Sequence, residues 1–479
     1  MKASPLVSRR QFIQGTAGFG SAMLLPQRAL TGQSASVAVL PEFRKAGDRD
    51  DTAALLRAAA TGRQVFVPEG RYAIAMTAED DLPDGFELIG EGAQRSIIAR
   101  SYARQASFIL HADSRSARVE DNLRGIRLRG VGFVDQVEQR GYSQFDYLVM
   151  LSGVSGAIIE GVSFQGFRGD GLYLGSSTVR SFERHNHSVL VSNCHFDGAN
   201  ANNRNAISVL DCSGLVVENC TFLNVGRNGG PSAFDAHNPL TGLQNPGAID
   251  IEPEATGFAR VEDVIIRNNH FAGGGGYAVT LNLFANGQDG LARNIAVTGN
   301  KVVDRFGGVR AVAGASVEGG VDQHILVEAN EVSNCDSPFL FDGVVDLQLL
   351  RNNFTDCSGH AELGWSGGVK KAKLIGNNFL RIGSTTGYAL WIRTAEELVL
   401  TENKFIDCGK PSGTLGIPLA FVSGISREVS IIGNRFANIS GRTTQAITVF
   451  ADAALDPASL QTRDNRLVGG IALSPAAAF

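Results

Sequence analysis

Charge is scarce in this chain and scattered. Only 19% of its 479 residues are charged, the formal net charge is −5, and no long run of either sign occurs. That leaves no basic stripe for nucleic acid and no polybasic patch for a membrane surface. Long apolar runs are missing too. After the first thirty-odd residues no segment approaches the ~18 consecutive apolar residues of a membrane-spanning helix, so no membrane span is expected in the mature protein. Tryptophan (2) and tyrosine (7) are few beside 27 phenylalanines. The six cysteines, at 194, 212, 220, 335, 357 and 408, include no Cys-x-x-Cys pair. A zinc site therefore lacks support, and the cysteines are expected to be small buried residues.

What is present in quantity is glycine, 57 residues, and a short phrase that recurs to the end of the chain. It reads Asn268-Asn269-His270-Phe271, Gly299-Asn300-Lys301-Val302 and Ala329-Asn330-Glu331-Val332, and returns at Phe354, Phe379, Phe405, Phe436 and Leu467. Copies ending at Phe196 and Phe222 carry Cys194 and Cys220 in the asparagine's place, and weaker copies end at Phe133 and Phe164. In eight copies the asparagine lies two residues before the apolar one, at intervals of 22 to 31 residues. Spacing this irregular excludes a rigid helical repeat and predicts stacked coils with loops of variable length. Alternating apolar stretches such as Val264-Ile265-Ile266 precede the phrase. Each coil is therefore expected to be a strand that turns, at an asparagine in left-handed geometry, into a second short strand. Twelve phrase positions predict about 11–12 coils, a rod of about 53 Å at ~4.8 Å per coil.

Two resemblances extend this reading. Ser8-Arg9-Arg10-Gln11-Phe12-Ile13, followed by a weakly apolar run from Thr16 to Leu25, resembles a twin-arginine export signal. The resemblance implies a signal peptide over residues 1–36, a periplasmic or secreted protein, and a single domain over 37–479. It also implies folding in a reducing cytosol, where structural disulfides seldom form. Next, Asp50-Asp51-Thr52 is placed to cap a helix over about 50–60 that closes the first coil. Gly47-Asp48 through Asp51-Thr52-Ala53-Ala54, then Val65-Phe66-Val67-Pro68-Glu69-Gly70-Arg71-Tyr72 and Leu88-Ile89-Gly90, resembles the N-terminal entry of the pectate-lyase-superfamily β-helices. That group includes rhamnogalacturonase- and epimerase-like proteins and some phage tailspikes. The match covers roughly residues 44 to 92, with Arg49 where the family has an extra Gly and Thr. It implies an all-β, right-handed parallel β-helix acting on carbohydrate polymers. The polygalacturonase signature set and the Tyr-Gly-Phe-Asp-Pro-His epimerase motif are absent, so those catalytic subfamilies are not implied. Nothing demands the trimer of the tailspikes.

Aligning the second strands on their apolar alternation, with Leu172, Ile207, Ile249, Val279 and Val309 inward, sends Tyr173, Ser208, Asp250, Thr280 and Arg310 outward in one row. Gly175, Leu210, Glu252, Asn282 and Val312 follow in a parallel row, with Trp391 and Arg393 in a later coil. Asp250 and Glu252, at i and i+2 of one strand, share a face about 6.6 Å apart. Two carboxylates so placed suit glycoside cleavage, one protonated to donate to the leaving oxygen and one ionised to activate water or attack. The plain alternative is a solvated strand, although acids are disfavoured in strands. On this reading Asp250, Glu252 and Arg310 are catalytic. Tyr173, Ser208, Thr280, Asn282, Trp391 and Arg393 line subsites, with His237, beside Asp235, reaching over from a loop insertion at 224–246. Hydrolysis requires no cofactor. A second possibility is a lyase in which Asp250, Glu252 and Glu254 hold calcium and Arg310 or Arg393 is the base. A third is a non-catalytic carbohydrate-binding β-helix. Asp170 extends the acidic row or serves a turn, and His185 and His187 form a two-histidine pair with no third ligand apparent.

Overall fold

In the computed structural model the described residues run from 37 to 472, apart from 117, 176–184, 200–202, 227–246, 254–258, 284–290, 314–321, 411–415, 444 and 457. The twin-arginine segment, Asp235, His237 and Glu254 lie outside them, as does most of the 224–246 insertion.

The chain is an all-β, right-handed parallel β-helix. Each coil passes through three sheets, named A, B and C here. One full coil runs from Cys212–Glu218 in sheet A to Thr221–Leu223 in sheet B and Ile249–Ile251 in sheet C. The strand pair expected around each asparagine occupies sheets A and B, so the aligned row belongs to a third strand rather than the second. Among the described residues sheet B holds 14 strands, from Gly70–Ile74 to Arg466–Val468, and sheet C holds 12, from Phe108–Asp113 to Ile447–Val449. Gly70–Ile74 and Ser96–Arg100 precede the first recognisable phrase, which lengthens the expected rod to roughly 62 Å. Their sequences, Gly-Arg-Tyr-Ala-Ile and Ser-Ile-Ile-Ala-Arg, lack the asparagine that marks the later copies.

Two internal stacks explain the phrase. Its aromatic residues pile face to face, with Phe164–Phe196, Phe196–Phe222 and Phe222–Phe271 centroids 4.5, 4.9 and 4.6 Å apart. All four rings are fully buried. The asparagines form a buried amide ladder. The N–H and Nδ2 of Asn300 both donate to Oδ1 of Asn330, at 2.9 and 3.0 Å, and its Nδ2 also donates to the Ile266 carbonyl at 2.9 Å. The same pattern continues through Asn352, Asn377, Asn403 and Asn434 to Asn465. Cys220 stands at the head of this ladder, its N–H donating to Asn269 Oδ1 at 2.9 Å. The left-handed residue is not the ladder asparagine but the one before it: Asn268, Ala329, Arg351, Glu402 and Asp464 have φ between 53° and 59°, and Gly299, Gly376 and Gly433 share that geometry. The ladder side chain must point inward, so its predecessor takes the turn. All six cysteines are free and buried.

Helix α1 (Thr52–Ala59) covers the first coil with Ala54, Leu55, Ala58 and Ala59 inward. Asp50 Oδ1 accepts the Thr52 N–H at 3.0 Å. Asp51 makes no cap; it accepts the Ala73 N–H at 2.9 Å and pairs with Arg44, pinning the helix to the first sheet B strand. No helix among the described residues is long and apolar enough to cross a membrane.

Candidate functional site

The third strands align as their apolar alternation requires. Tyr173, Ser208, Asp250, Thr280 and Arg310 stand in register on neighbouring strands of sheet C, and the row continues through Leu340 and Glu362 to Trp391. The expected openness of this row needs correction at its centre. Ser208, Asp250 and Thr280 are each at most 2% exposed, because polar side chains close over them.

That cover is a hydrogen-bonded chain. Asn205 Nδ2 donates to Ser208 Oγ at 2.8 Å and to Asp250 Oδ2 at 3.2 Å. Asn282 Nδ2 donates to Asp250 Oδ1 at 3.1 Å, and Arg310 donates to Asn282 Oδ1 at 2.8 Å. Asp170, fully buried at the start of its strand, pairs with Arg204 at 2.7 Å. Asp170 thus adds a carboxyl ahead of the strand two away from that of Asp250, and Arg204 compensates it. Burial first, then the neighbouring charge of Glu252, pushes the Asp250 carboxyl up to about 7. Glu252 follows the strand Ile249–Ile251, half-buried, its N–H donating to the Val209 carbonyl at 3.0 Å. Burial lowers the Arg310 guanidinium from its ordinary value. Tyr173 is half-buried and stacks on Tyr147 at 4.4 Å. The structure therefore brings Asp250, Glu252, Asn282 and Arg310 together, whereas Trp391 lies five coils from Asp250, roughly 24 Å away.

Further along the face opens a cleft of about 670 Å³, whose lining includes Tyr277, Arg310, Asp342, His360, Glu362 and Trp365. Asp342 is 4% exposed and accepts the Ser366 N–H, the Ser366 hydroxyl and the Gly367 N–H at 2.8 to 2.9 Å, which fixes the turn carrying Trp365. Glu362 pairs with Arg393 at 2.9 Å, and burial raises its carboxyl above the ordinary value against the pull of that arginine. Burial and the Arg393 charge lower His360 to about 4, so its ring stays neutral, tilted 30° against Trp391 with the centroids 4.0 Å apart. Trp365 is 57% exposed, with the Arg393 guanidinium 5.6 Å from its ring centroid. Asp342, Glu362 and Trp365 were not among the residues expected to act. The signal was available: Phe339-Leu340-Phe341-Asp342 and Ala361-Glu362-Leu363 repeat the alternation of Ala248-Ile249-Asp250-Ile251 one and two coils beyond Arg310.

His185 Nδ1 sits 2.6 Å from Asp211 Oδ1 in a buried pair, and His187 meets His185 edge to face at 5.9 Å. Among the described residues no group of three or more His, Cys, Asp or Glu side chains is arranged to hold a metal ion.

A parallel β-helix with acidic, basic and aromatic side chains gathered on one face is thus the class of protein that the geometry defines. Comparison with known proteins agrees. A family model described as the right handed beta helix region matches residues 146–319. An uncharacterized protein of Bacillus subtilis, YclG, is 23% identical over 342 residues, 70% of this chain and 48% of that protein. The chain thus spans about half the length of this curated relative. Among solved structures, the pre-mature gene product 12 of bacteriophage phi29 superposes with a TM-score of 0.64 at 12% identity, covering 92% of this chain and 57% of that one. The Dettilon tailspike protein superposes with a TM-score of 0.53 at 14% identity, covering 87% and 70%. At such identities these structures share the fold with this chain.

Proposed function

We propose that this protein is an exported enzyme that lays a polysaccharide along sheet C and hydrolyses a glycosidic bond with Asp250 and Glu252. The observation that carries the reading is the contrast within that pair. Asp250 is buried and keeps its proton up to about pH 7, while Glu252, two residues on, is partly open to solvent. Acid-assisted glycoside cleavage requires one carboxyl that keeps its proton beside a second that water and substrate can reach. Asp250 donates its proton to the leaving oxygen once the Asn205 and Asn282 side chains that cover it swing aside; Glu252 activates water or attacks the anomeric carbon. Asn282, between Asp250 and Arg310, orients the acid.

A lyase is the second reading, favoured by the lowered guanidinium of Arg310 as a base on this face. Against calcium in that reading stand the partners of Asp250. Both Asp250 oxygens accept amide N–H groups, from Asn205 and Asn282, where a cation would require further oxygen donors.

Purified mature protein is to be incubated with neutral and uronate polysaccharides, following new reducing ends and the ultraviolet absorbance of unsaturated products. Reducing ends without absorbance are expected, with the rate falling by about a hundredfold or more in Glu252→Gln. Absorbance that tracks cleavage and disappears in Arg310 variants would transfer the reaction to the lyase. Export rests on Arg9 and Arg10: replacing both with Lys should retain the protein in the cytoplasm, and unchanged export would sink that part.

A further inference from the structure

The cleft around Trp365 belongs to the same face but is not part of the Asp250 cluster. Along the outward row, Asp250, Thr280, Arg310, Leu340 and Glu362 occupy successive coils, four steps or roughly 19 Å from first to last. Arg310 joins the two regions, since it lines the cleft and donates to Asn282, the partner of Asp250.

The chemistry of the cleft wall selects among ligands. Three carboxyl side chains line it, Asp336, Asp342 and Glu362. Of the two guanidiniums within reach, that of Arg393 is paired with Glu362, while that of Arg310 meets the neutral amide of Asn282 and keeps its charge, one cation facing Asp336 and Asp342. An anionic ligand would meet more negative than available positive charge. A ligand rich in hydroxyl groups would instead find acceptors in Asp336, Asp342 and Glu362. At the rim stands Trp365, one of the few large apolar side chains left exposed. Its turn is not loose: Asp342 binds the two residues that follow it, so the indole is presented on a fixed backbone. A flat, exposed ring beside acceptors for hydroxyl groups matches a pyranose, whose C–H face stacks on aromatic rings while its equatorial hydroxyls donate at the edge.

We propose that this cleft is a sugar-binding site, with Trp365 as the stacking platform and Asp342 and Glu362 as hydroxyl acceptors, and that it takes a neutral hexopyranose unit rather than a uronate. The inference rests on the polysaccharide reading of the face and names the substrate class. Bound several coils from Asp250, such a unit anchors the polymer whose cleaved bond lies at the acidic pair.

The chain's composition supplies a clean readout. Its only two tryptophans, Trp365 and Trp391, are both here, the first lining the cleft and the second against the cleft residue His360. Intrinsic tryptophan fluorescence therefore reports this site and not the Asp250 cluster. The probes are gluco-, manno- and galacto-oligosaccharides, with oligogalacturonate for comparison, titrated into the full mature protein and into Trp365→Ala and Trp365→Phe. At least one neutral series is expected to change the fluorescence saturably, and oligogalacturonate to leave it flat. Trp365→Ala should weaken that binding by roughly five- to tenfold, followed through Trp391 or by calorimetry, with Trp365→Phe recovering most of it. Circular dichroism and melting temperature check that both variants fold. Fluorescence that no neutral oligosaccharide changes, affinity unaltered in Trp365→Ala, or a response confined to oligogalacturonate would each overturn the proposal. The catalytic reading fails separately. Glu252→Gln should lose cleavage yet keep the fluorescence titration, whereas cleavage without any fluorescence response leaves the enzyme standing and removes the sugar site.

Discussion

At the scale of single residues, Asp250 is where burial acquires a chemical consequence. A carboxylate removed from water with Glu252 nearby is more costly to ionise than one in an unfolded chain, which titrates near ~3.9. Between that value and about 7 the unfolded chain has released a proton that the folded chain retains. Stability is therefore greatest below the unfolded value and declines as pH rises through this window. Asp250→Asn has no such proton. Denaturant unfolding of the two proteins should show wild type losing stability relative to Asp250→Asn between about pH 4 and pH 7, on the order of a few kcal/mol. Parallel pH profiles would mean that Asp250 is ionised in the fold and could not serve as the acid. The candidate pair itself was readable from Asp-Ile-Glu in an alternating strand, because period two places both acids on one side. Its enclosure was not: alignment put Asn282 on the neighbouring strand but not its amide on Asp250, and Asn205 and Arg204 come from a turn that the alternating pattern does not reach.

At the scale of elements, the asparagine ladder shows how one side chain per coil holds consecutive coils in register. Asn352 donates to the Val327 carbonyl and to Asn377 Oδ1, both at 2.9 Å, and its own Oδ1 accepts from Asn330. Asn352→Ala leaves buried donors on Asn330 and a buried acceptor on Val327 without partners, a cost of about 2–4 kcal/mol. Asn465, at the last rung, is only half-buried, so water can replace part of what Asn465→Ala removes. Thermal denaturation should therefore show a clearly larger fall in melting temperature for the middle rung than for the last. Equal losses would mean that the ladder acts as independent turns. The phrase located these turns in the sequence. It misplaced the left-handed residue by one position, because a one-dimensional pattern does not say which of two adjacent polar residues faces the core. It also missed the sheet B strands Gly70–Ile74 and Ser96–Arg100, which stack by Tyr72 and Ile98 without an asparagine.

At the scale of the whole molecule, the acidic pair and the Trp365 cleft act together only if one polymer reaches both. Oligosaccharides too short to extend from Asp250 to Trp365 should be cut with lower kcat/KM than longer ones of the same sugar, and Trp365→Ala should remove most of that dependence on length. A length dependence that survives in Trp365→Ala would place the anchoring subsite elsewhere. A solenoid permits such separation, because each coil adds face without adding a second core.

Sequence by itself determined the repeat, and with it the fold class. A parallel stack puts like residues over like, so aromatic, asparagine and cysteine positions must recur along the chain, and the outward row of sheet C follows from period two. Tertiary structure alone decided what the row becomes. Which outward residues are sealed, as Asp250 is, and which stand open, as Trp365 does, depends on side chains that meet across coils, and the spacing of residues along the chain carries no record of those meetings.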